Sequence, residues 1–206
     1  IAAGLQKRLG AVLLQWLELV RARSGSAHLA AGGGLFHNSA INSTVKRSGI
    51  FDEVFIPVDP GNAGLSVGAA VQGCDGRASS ISPFLGPEYS PDEIKLVLEN
   101  CKLQYSWESE EGAIASAVRA LLEGRLVGWF DGPMEWGQRA LGARSILANP
   151  RAPYVLENLN HFLKRREPWR GYAMSGLEAA VRQHFDGPPT APFMECDFLP
   201  REPHLF

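Results

Sequence analysis

The segment GPMEWGQRALGARSIL, residues 132–147, places two arginines in an otherwise apolar run that is punctuated by glycines. An unpaired charge is costly to bury, and a solvated surface rarely carries so many apolar side chains together. An anionic ligand or an internal carboxylate such as Glu135 must therefore face Arg139 and Arg144. Guanidinium groups suit bidentate contacts with phosphate or carboxylate. We predict that a buried segment points Arg139 into an anion pocket, and that Arg144 pairs with Glu135 or with backbone carbonyls.

A basic stretch, residues 133–170, extends beyond this segment. It contains seven basic and three acidic residues, a local net charge of +4 in a chain whose net charge is −2. Such an excess in a net-negative protein indicates binding of a discrete small anion rather than a long polyanion. A solvated helix with ion pairs is the alternative, and it accounts for Arg151, Arg165 and Arg166. The remaining basic residues outside the opening segment are Lys164 and Arg170.

A glycine-rich turn, AAGGGLFHNSAINS, occupies residues 30–43. Gly33 and Gly34 allow backbone amides to approach an anion because no Cβ intervenes. Asn38 and Asn42 lie four residues apart and share a face if a helix begins here, where their amides could bind a nucleotide sugar or base. The alternative is a tight turn with an asparagine helix cap.

A second turn, PGNAGLSVGAA at residues 60–70, places Asn62 just before a predicted helix. A helix N-terminus is suited to an anion, and the amide oxygen could also ligate a metal. The alternative is a simple turn followed by close packing of small residues. No two of the five histidines have a spacing typical of metal ligands. Among them, His37 is the strongest candidate for a functional role, because it lies beside the glycine turn.

Hydrophobic periodicity predicts the elements that must position these residues. A first amphipathic helix covers residues 5–20, and Ser-Pro-Asp-Glu at residues 90–93 is a capping-box signature for another. Further helices are predicted over residues 65–71, 114–122 and 154–166, and strands over residues 28–34, 54–58 and 126–130. Because helices and strands alternate, both halves are predicted to be α/β, with a boundary near residue 80 and an irregular tail from Asp186.

The composition is that of an ordinary globular protein, with 206 residues, 45% hydrophobic and 20% charged, and a pI of about 6.2. This charge does not favour nucleic acid or anionic membranes as partners, and no apolar run reaches the roughly 20 residues of a membrane span. Three scattered cysteines indicate neither a disulfide framework nor a zinc site, so we expect a reducing, cytoplasmic location. The chain begins at Ile1 without Met and stops in PREPHLF, and we interpret it as a fragment.

Four motifs, taken in order, resemble those of the O-carbamoyltransferases of the NodU/CmcH group. They are GG-x-x-x-N-x-x-x-N, PG-[DN]-AG-x-x-x-GAA, E-[FW]-G-x-RALG-x-RSIL and K-x-RE-x-x-R. The resemblance covers nearly the whole chain, and the run GPMEWGQRALGARSILANPR is long and specific. It implies that residues 1–80 are the end of a TsaD-like domain of the actin-like ATPase class. Residues 81–206 would be the beginning of a YrdC-like domain.

In that family, the YrdC-like domain makes carbamoyl adenylate from carbamoyl phosphate and ATP. The TsaD-like domain then transfers the carbamoyl group to a substrate hydroxyl, assisted by a bound metal, usually iron. The resemblance implies a small-molecule or oligosaccharide acceptor, either a saccharide or an antibiotic, with a lipochitooligosaccharide nodulation factor as our preferred candidate. We expect no nucleic acid partner, we make no prediction of oligomeric state, and we expect the fragment alone to be inactive.

The resemblance also assigns roles to individual residues. Those matching the family's grip on carbamoyl phosphate and nucleotide phosphates are Arg139, Lys164 and Arg170. Those matching the nucleotide-contacting turn are Gly33, Gly34, Asn38 and Asn42, and those supporting the phosphate site within its motif are Arg144 and Ser145. Asn62 falls where the family has a metal-binding Asp, so metal affinity should weaken because Asn carries no charge.

Three other positions depart from the family pattern. Pro133 stands where Arg is common, Gln138 where Pro is common, and Gly171-Tyr172 replaces a Pro-Phe pair. Two other functional classes fit the residues less well. One is a YrdC-like module that binds nucleotides or RNA without transferase activity. The other is an actin-like ATPase or sugar kinase, which leaves the second half of the chain unexplained.

Overall fold

The structure is a computed structural model that describes residues 1–74, 82–188 and 191–202. The chain divides into two compact units. Unit 1 comprises Ile1–Pro83, Gly137–Arg139 and Gly176–Pro203, and unit 2 comprises Phe84–Trp136 and Ala140–Ser175. The boundary predicted near residue 80 lies outside the described residues. A single cut in the sequence does not separate the units, because residues 137–139 and the tail from residue 176 belong to unit 1.

The secondary structure is mainly helical, with short strands. The α-helices are α1 (Ala2–Ser24), α2 (Ser39–Arg47), α3 (Gly64–Gly73), α4 (Pro91–Asn100), α5 (Glu110–Leu122), α6 (Val155–Glu157) and α7 (Glu178–His184). The strands are β1 (His28–Ala30), β2 (Glu53–Phe55), β3 (Val127–Phe130), β4 (Arg144–Leu147), β5 (Phe185–Asp186) and β6 (Leu199–Pro200). A 3₁₀ turn spans Gly34–His37, and a π-helical turn spans Asn158–Leu163.

The first helix, predicted over residues 5–20, continues to Ser24. Gly25 follows α1 in the left-handed conformation, with φ of 68°, and its N–H donates to the Arg21 carbonyl at 3.0 Å. Glycine adopts this conformation without steric cost, which explains the end of the helix. The helix predicted over residues 65–71 is confirmed by α3.

The apolar core of unit 1 forms around α1, α2 and the first two strands. Leu17, Val45 and Phe51 are buried together. The strands β1 and β2 pair in parallel with Leu29 opposite Val54, and both of these side chains pack against the buried cluster. The strands are shorter than predicted, because the chain leaves β1 at Ala30 for the glycine-rich turn.

The tail from Asp186 is irregular, as predicted, over most of its described residues, and the exceptions are the short strand β6 and the end of β5. The strands β5 and β6 pair antiparallel, so the tail returns on itself. Contacts between the tail and α2 include Lys46 Nζ, which lies 3.2 Å from Glu195 Oε1, and the Asp197 N–H, which donates to Ser43 Oγ at 2.9 Å. These partners are about 150 residues apart in the sequence, so no local sequence pattern could predict their contacts.

The helix starts of unit 2 follow the predicted capping rules. The Ser90 N–H donates to Glu93 Oε2 at 2.8 Å, and the Glu93 N–H donates to Ser90 Oγ at 3.3 Å, which completes the capping box of α4. The next helix, α5, ends just before Gly124, whose φ of 78° is again left-handed. These elements depend on neighbouring residues alone, which is why the sequence predicts them.

The last four residues of the opening segment form a strand rather than a buried run. The strand β4 pairs antiparallel with β3, with Trp129 opposite Ser145 and Phe130 opposite Arg144. Its residues alternate between exposed and partly buried positions. Side chains of a strand point alternately to opposite faces, and this places Arg144 on the exposed face. The prediction of a buried segment was therefore wrong for these four residues.

The helix predicted over residues 154–166 is shorter and less regular than expected. Only α6 is α-helical, and the π-helical turn that follows it ends at Leu163. Arg165 has a φ of 48°, a left-handed conformation that ends the helical path. The side chain of Asn160 binds carbonyls further along the chain, so local side-chain bonding competes with continuation of the helix.

The mixture of helices and small sheets agrees with the predicted α/β class. Among the described residues there are three two-stranded sheets. The assignment of residues 1–80 and 81–206 to TsaD-like and YrdC-like domains stays a prediction. In the described parts of the chain, no helix has both the length and the apolar character needed to cross a membrane.

Replacing Gly64 by alanine should destabilise unit 1. A Cβ at Gly64 would overlap the backbone carbonyl oxygen of Asp59, so the turn before α3 must shift. Overpacking of this kind costs about 1–3 kcal/mol. Gly68 in the same helix has no atom within 4 Å of an added Cβ, so Gly68→Ala should gain up to about 1 kcal/mol from helix propensity. Urea unfolding of both variants checks this, and equal stabilities would contradict it.

Candidate functional site

A buried carboxylate organises the turn before β4 in unit 2. Glu135 is 3% exposed, and its Oε1 accepts hydrogen bonds from the N–H groups of Leu141 at 2.6 Å and Ala143 at 2.7 Å. Its Oε2 lies 3.2 Å from Arg144 Nε. The predicted pairing of Arg144 with Glu135 is thus confirmed. Burial acts to raise the pKa of Glu135, but the backbone hydrogen bonds outweigh it and hold the pKa below its ordinary value.

The neighbouring serine belongs to the same turn. Ser145 Oγ accepts a hydrogen bond from the Gly142 N–H at 3.1 Å, and Gly142 has a φ of 126° that strongly favours glycine. Arg144 and Ser145 therefore help to shape the turn formed by residues 139–144, which we call the RALGAR turn. Their predicted support of a nucleotide or phosphate site stays a prediction.

Arg139 belongs to unit 1, where its guanidinium binds two backbone carbonyls. One terminal nitrogen donates to the Phe193 carbonyl at 2.9 Å and the other to the His37 carbonyl at 2.7 Å. The side chain is half-buried, and burial lowers its pKa, while the nearby carboxylates of Glu195 and Asp59 act in the opposite direction. Arg139 thus joins the glycine-rich turn to the tail of the chain.

The three residues predicted to grip the phosphates are divided between the units. Arg139 lies in unit 1, whereas Lys164 and Arg170 lie in unit 2. Both terminal nitrogens of Arg139 are engaged with carbonyls, so its contacts are those of a structural clasp. Its role as the anchor of an anion pocket stays a prediction.

The glycine-rich turn packs against the second turn of unit 1. Gly33 has a φ of 107°, and its N–H donates to the Pro60 carbonyl at 2.6 Å. Gly34 begins the 3₁₀ turn that leads to α2. The amide of Gly33 thus holds the two turns together, and nucleotide contacts by Gly33 and Gly34 stay a prediction.

Asn38 caps α2, as the alternative interpretation of the glycine-rich turn expects. Its Oδ1 accepts from the Ile41 N–H at 3.2 Å. The Asn38 and Gln6 side-chain amides also bind each other, at 2.9 Å and 3.2 Å. In the structure, its side chain therefore joins α1 to the start of α2.

Asn42 is completely buried on the inner side of α2. Its Nδ2 donates to the Phe36 carbonyl at 2.8 Å and to the Glu195 carbonyl at 2.7 Å. Its Oδ1 accepts no hydrogen bond from the described residues. Asn42 fastens both the 3₁₀ turn and the tail, and a direct contact with nucleotide stays a prediction.

A second buried carboxylate, Asp59, was not singled out from the sequence. Its Oδ1 accepts from the Gly61 N–H at 2.8 Å and lies 3.6 Å from His37 Nε2. A Cβ on Gly137 would lie 3.3 Å from Asp59 Oδ2, so this carboxylate is closely enclosed. The only signals in the sequence were its place beside the Pro-Gly turn and the presence of His37.

Asn62, the predicted metal ligand, is exposed at the surface of unit 1. Among the described residues, no group of three or more His, Cys, Asp or Glu side chains is arranged to hold a metal ion. The residues present do not by themselves fit a metal, so the proposed role of Asn62 is not supported by neighbouring ligands.

Unit 2 contains the second half of the predicted phosphate site, which we call the cationic loop (residues 164–170). Lys164, Arg165 and Arg170 have exposed side chains. Within the described residues, the Lys164 ammonium has no hydrogen bond or ion pair, whereas Arg170 Nη1 lies 3.8 Å from Glu167 Oε2. Their charges are therefore open to solvent and to a ligand.

An open cavity of about 510 Å³ adjoins the cationic loop. It is lined by His161, Phe162, Arg165 and Arg166. Its size falls within the range of small-molecule pockets, and its lining combines aromatic surface with cations. This chemistry suits an anion that also has a flat or apolar portion.

Asn160 is a further residue that the sequence analysis missed. It is 0% exposed and lies in the π-helical turn, and its side chain makes four hydrogen bonds to residues 166–172. A single asparagine within a predicted amphipathic helix carries no signal of its own. The partners of the Asn160 side chain become apparent only from the path of the cationic loop in the structure.

Comparison with known protein families matches both ends of the chain. A family described as "Carbamoyltransferase N-terminus" matches residues 1–71, and one described as "Carbamoyltransferase C-terminus" matches residues 118–203.

Similar sequences are found among bacterial proteins. Nodulation protein NolO of Bradyrhizobium diazoefficiens is 31% identical over 212 residues, which cover 98% of this chain and 39% of the relative. Nodulation protein U of the same organism is 30% identical over 197 residues, covering 96% and 33%. An uncharacterized protein of Synechocystis is 32% identical over 209 residues, covering 94% and 34%. The chain thus spans about a third of the length of these curated relatives.

Replacing Glu135 by glutamine should weaken the folded state most at neutral pH. The folded-state pKa of Glu135 is lowered, so its carboxylate stabilises the fold above the unfolded-state pKa. This contribution is lost as the pH falls through the folded-state pKa. We expect a loss of about 1–3 kcal/mol at pH 7, because buried amides and Arg144 lose a charged partner.

Urea unfolding of both proteins at pH 7 and below pH 4 checks this prediction. The difference between them should shrink in acid, and a difference that does not depend on pH would contradict it. Glu157→Gln, at an exposed position in α6, is the matched control and should leave the stability unchanged.

Proposed function

The chain belongs to the carbamoyltransferase family, and on that premise we propose that the protein is an ATP-dependent O-carbamoyltransferase. Carbamoyl phosphate is the proposed carbamoyl donor, and a saccharide hydroxyl is the proposed acceptor. The single structural observation that supports this is the open cavity of unit 2 beside the cationic loop. It offers exposed cations together with aromatic surface, as a nucleotide and an acyl phosphate require.

The proposed reaction has two steps that balance. In the first, water cleaves carbamoyl phosphate to carbamate and phosphate, a carbamate oxygen then attacks the α-phosphorus of ATP, and the bond from that phosphorus to pyrophosphate breaks, which leaves carbamoyl adenylate. The acceptor hydroxyl oxygen then attacks the carbamoyl carbon, the bond from that carbon to the AMP oxygen breaks, and the hydroxyl proton passes to a base or to water. In both steps negative charge develops on a departing phosphate group, pyrophosphate in the first and AMP in the second, so fixed cations stabilise them more than a protein nucleophile would.

The residues of the cationic loop divide this work in the proposal. Lys164 supplies a mobile point charge for a phosphate oxygen, since its ammonium has no partner among the described residues. Arg165 lines the cavity and supplies a planar group for bidentate contact. Arg170 adds a third cation, held loosely by Glu167. Arg139 contributes in unit 1 by holding the glycine-rich turn.

The relatives, rather than the site, support the proposed acceptor. Two relatives are named nodulation proteins, which supports a saccharide such as a lipochitooligosaccharide as the acceptor. The cavity of unit 2 is assigned to the donor and the nucleotide, and it carries no information about the acceptor. The family's metal is not part of the proposed steps, because the described residues do not form a site for it.

Lys164→Ala in the full-length protein should raise the Kd for carbamoyl phosphate about 10- to 100-fold. Hydrogen bonds to charged groups contribute about 1.5–3 kcal/mol, and each 1.4 kcal/mol is tenfold in affinity. Isothermal titration calorimetry measures the change. Arg151→Ala removes an exposed charge outside the loop and serves as the matched control.

Equal affinities of the wild type and Lys164→Ala would contradict the assignment of the loop. An RNA-binding module would instead show a steep salt dependence and a preference for longer RNA. Carbamoyl transfer by the intact protein to a panel of hydroxyl acceptors, read by mass spectrometry, tests the activity and identifies the acceptor.

A further inference from the structure

The side chain of Asn160 has every hydrogen-bonding position filled by the cationic loop and the residues just after it. Its Oδ1 accepts from Arg166 Nε at 2.7 Å and from the Tyr172 hydroxyl at 2.9 Å. Its Nδ2 donates to the Pro168 carbonyl at 3.2 Å and to the Arg170 carbonyl at 2.9 Å. A side-chain amide has two donor hydrogens and two acceptor sites, so none is left over.

The main chain around Asn160 adds to this arrangement. The Arg166 N–H donates to the Asn160 carbonyl at 2.9 Å, and the Lys164 N–H donates to the Leu159 carbonyl at 2.8 Å. Between these two bonds, Arg165 takes a left-handed conformation that costs energy in any residue other than glycine. The contacts to Asn160 hold the loop in this conformation.

Arg166 is separated from the other cations by the same network. Its guanidinium lies over the Tyr172 ring, with its central carbon 4.3 Å from the ring centroid, and it also donates to the Gly171 carbonyl at 3.3 Å. Arg166 therefore braces the loop. The exposed charges of Lys164, Arg165 and Arg170 remain for a ligand.

We infer that Asn160, together with the Tyr172 hydroxyl, is a positioning residue that sets the arrangement of the cationic loop for its anionic substrate. Asn160 is too deeply buried to touch the substrate itself. This inference rests on the proposed function for the identity of the substrate. The inference that Asn160 fixes the conformation of the cationic loop does not depend on the proposed function.

The chemistry of Asn160 explains why an amide is needed. An aspartate would keep the contact with Arg166 but would turn a second oxygen toward the carbonyls of Pro168 and Arg170, which would repel it. An apolar side chain would leave both carbonyls, the Arg166 N–H and the Tyr172 hydroxyl without partners.

The test uses the full-length protein and variants of graded severity. Tyr172→Phe removes one hydrogen bond, and we expect the KM for carbamoyl phosphate to rise about 3- to 10-fold with little change in kcat. Asn160→Asp should raise it about 30-fold or more, because repulsion displaces the loop. Tyr154→Phe, at an exposed tyrosine of the same unit, is the control and should change neither value.

Hydrogen–deuterium exchange provides a second readout that needs no substrate. Residues 164–172 should exchange faster in Tyr172→Phe and Asn160→Asp, while α4 and α5 stay protected. Faster exchange with an unchanged KM would reduce Asn160 to a structural residue and overturn the inference. Unchanged exchange would overturn it as well.

Failure of the proposed function can be told apart from failure of this inference. If the wild type binds no carbamoyl phosphate, the proposed substrate is wrong, and pyrophosphate then probes the loop as an anion site. Weaker pyrophosphate binding by Asn160→Asp than by the wild type would still support the inference. Equal binding, or no binding by the wild type, would overturn it.

Discussion

Hydrogen bonds between buried side chains and backbone groups hold each unit in shape, because a polar group hidden from water must find a partner. In unit 1, Asn42 binds a carbonyl of the tail, and Asp59 accepts an amide of the turn that follows it. In unit 2, Glu135 binds two amides of the RALGAR turn, and Asn160 binds two carbonyls of the cationic loop. These four side chains organise the turns and the loop that they contact, and the sheets of the described residues have only two strands each.

The same requirement separates the two arginines of the opening segment. Arg144 answers the buried Glu135 within unit 2, whereas Arg139 binds carbonyls of the glycine-rich turn and of the tail within unit 1. Each cation has a partner inside the protein, which explains how both tolerate apolar neighbours. The charge that remains open to a ligand lies instead on the cationic loop, where Lys164 and Arg165 are exposed.

In the proposed carbamoyl transfer, one set of residues keeps the cationic loop rigid and another set supplies the charge for the ligand. Asn160 and Arg166 use their hydrogen bonds to hold the loop itself, whereas the side chains of Lys164 and Arg165 stay exposed. Fixed positive charge is effective because it is already in place when negative charge develops on the phosphates. A buried amide can hold such a loop without adding a charge that would compete with it.

The sequence by itself determined the local elements and the family. Capping at Ser90, helix ends at Gly25 and Gly124, and the motifs around the RALGAR turn depend on residues close together, so they could be read directly. The pairing of Arg144 with Glu135 was also expected, because both lie in one short segment. Only the tertiary structure decided that Asn42 meets Glu195, that Arg139 meets Phe193, and that Asn160 gathers the cationic loop. In those contacts the partner is a backbone carbonyl. Because every residue has one, the sequence does not indicate which carbonyl a side chain will bind.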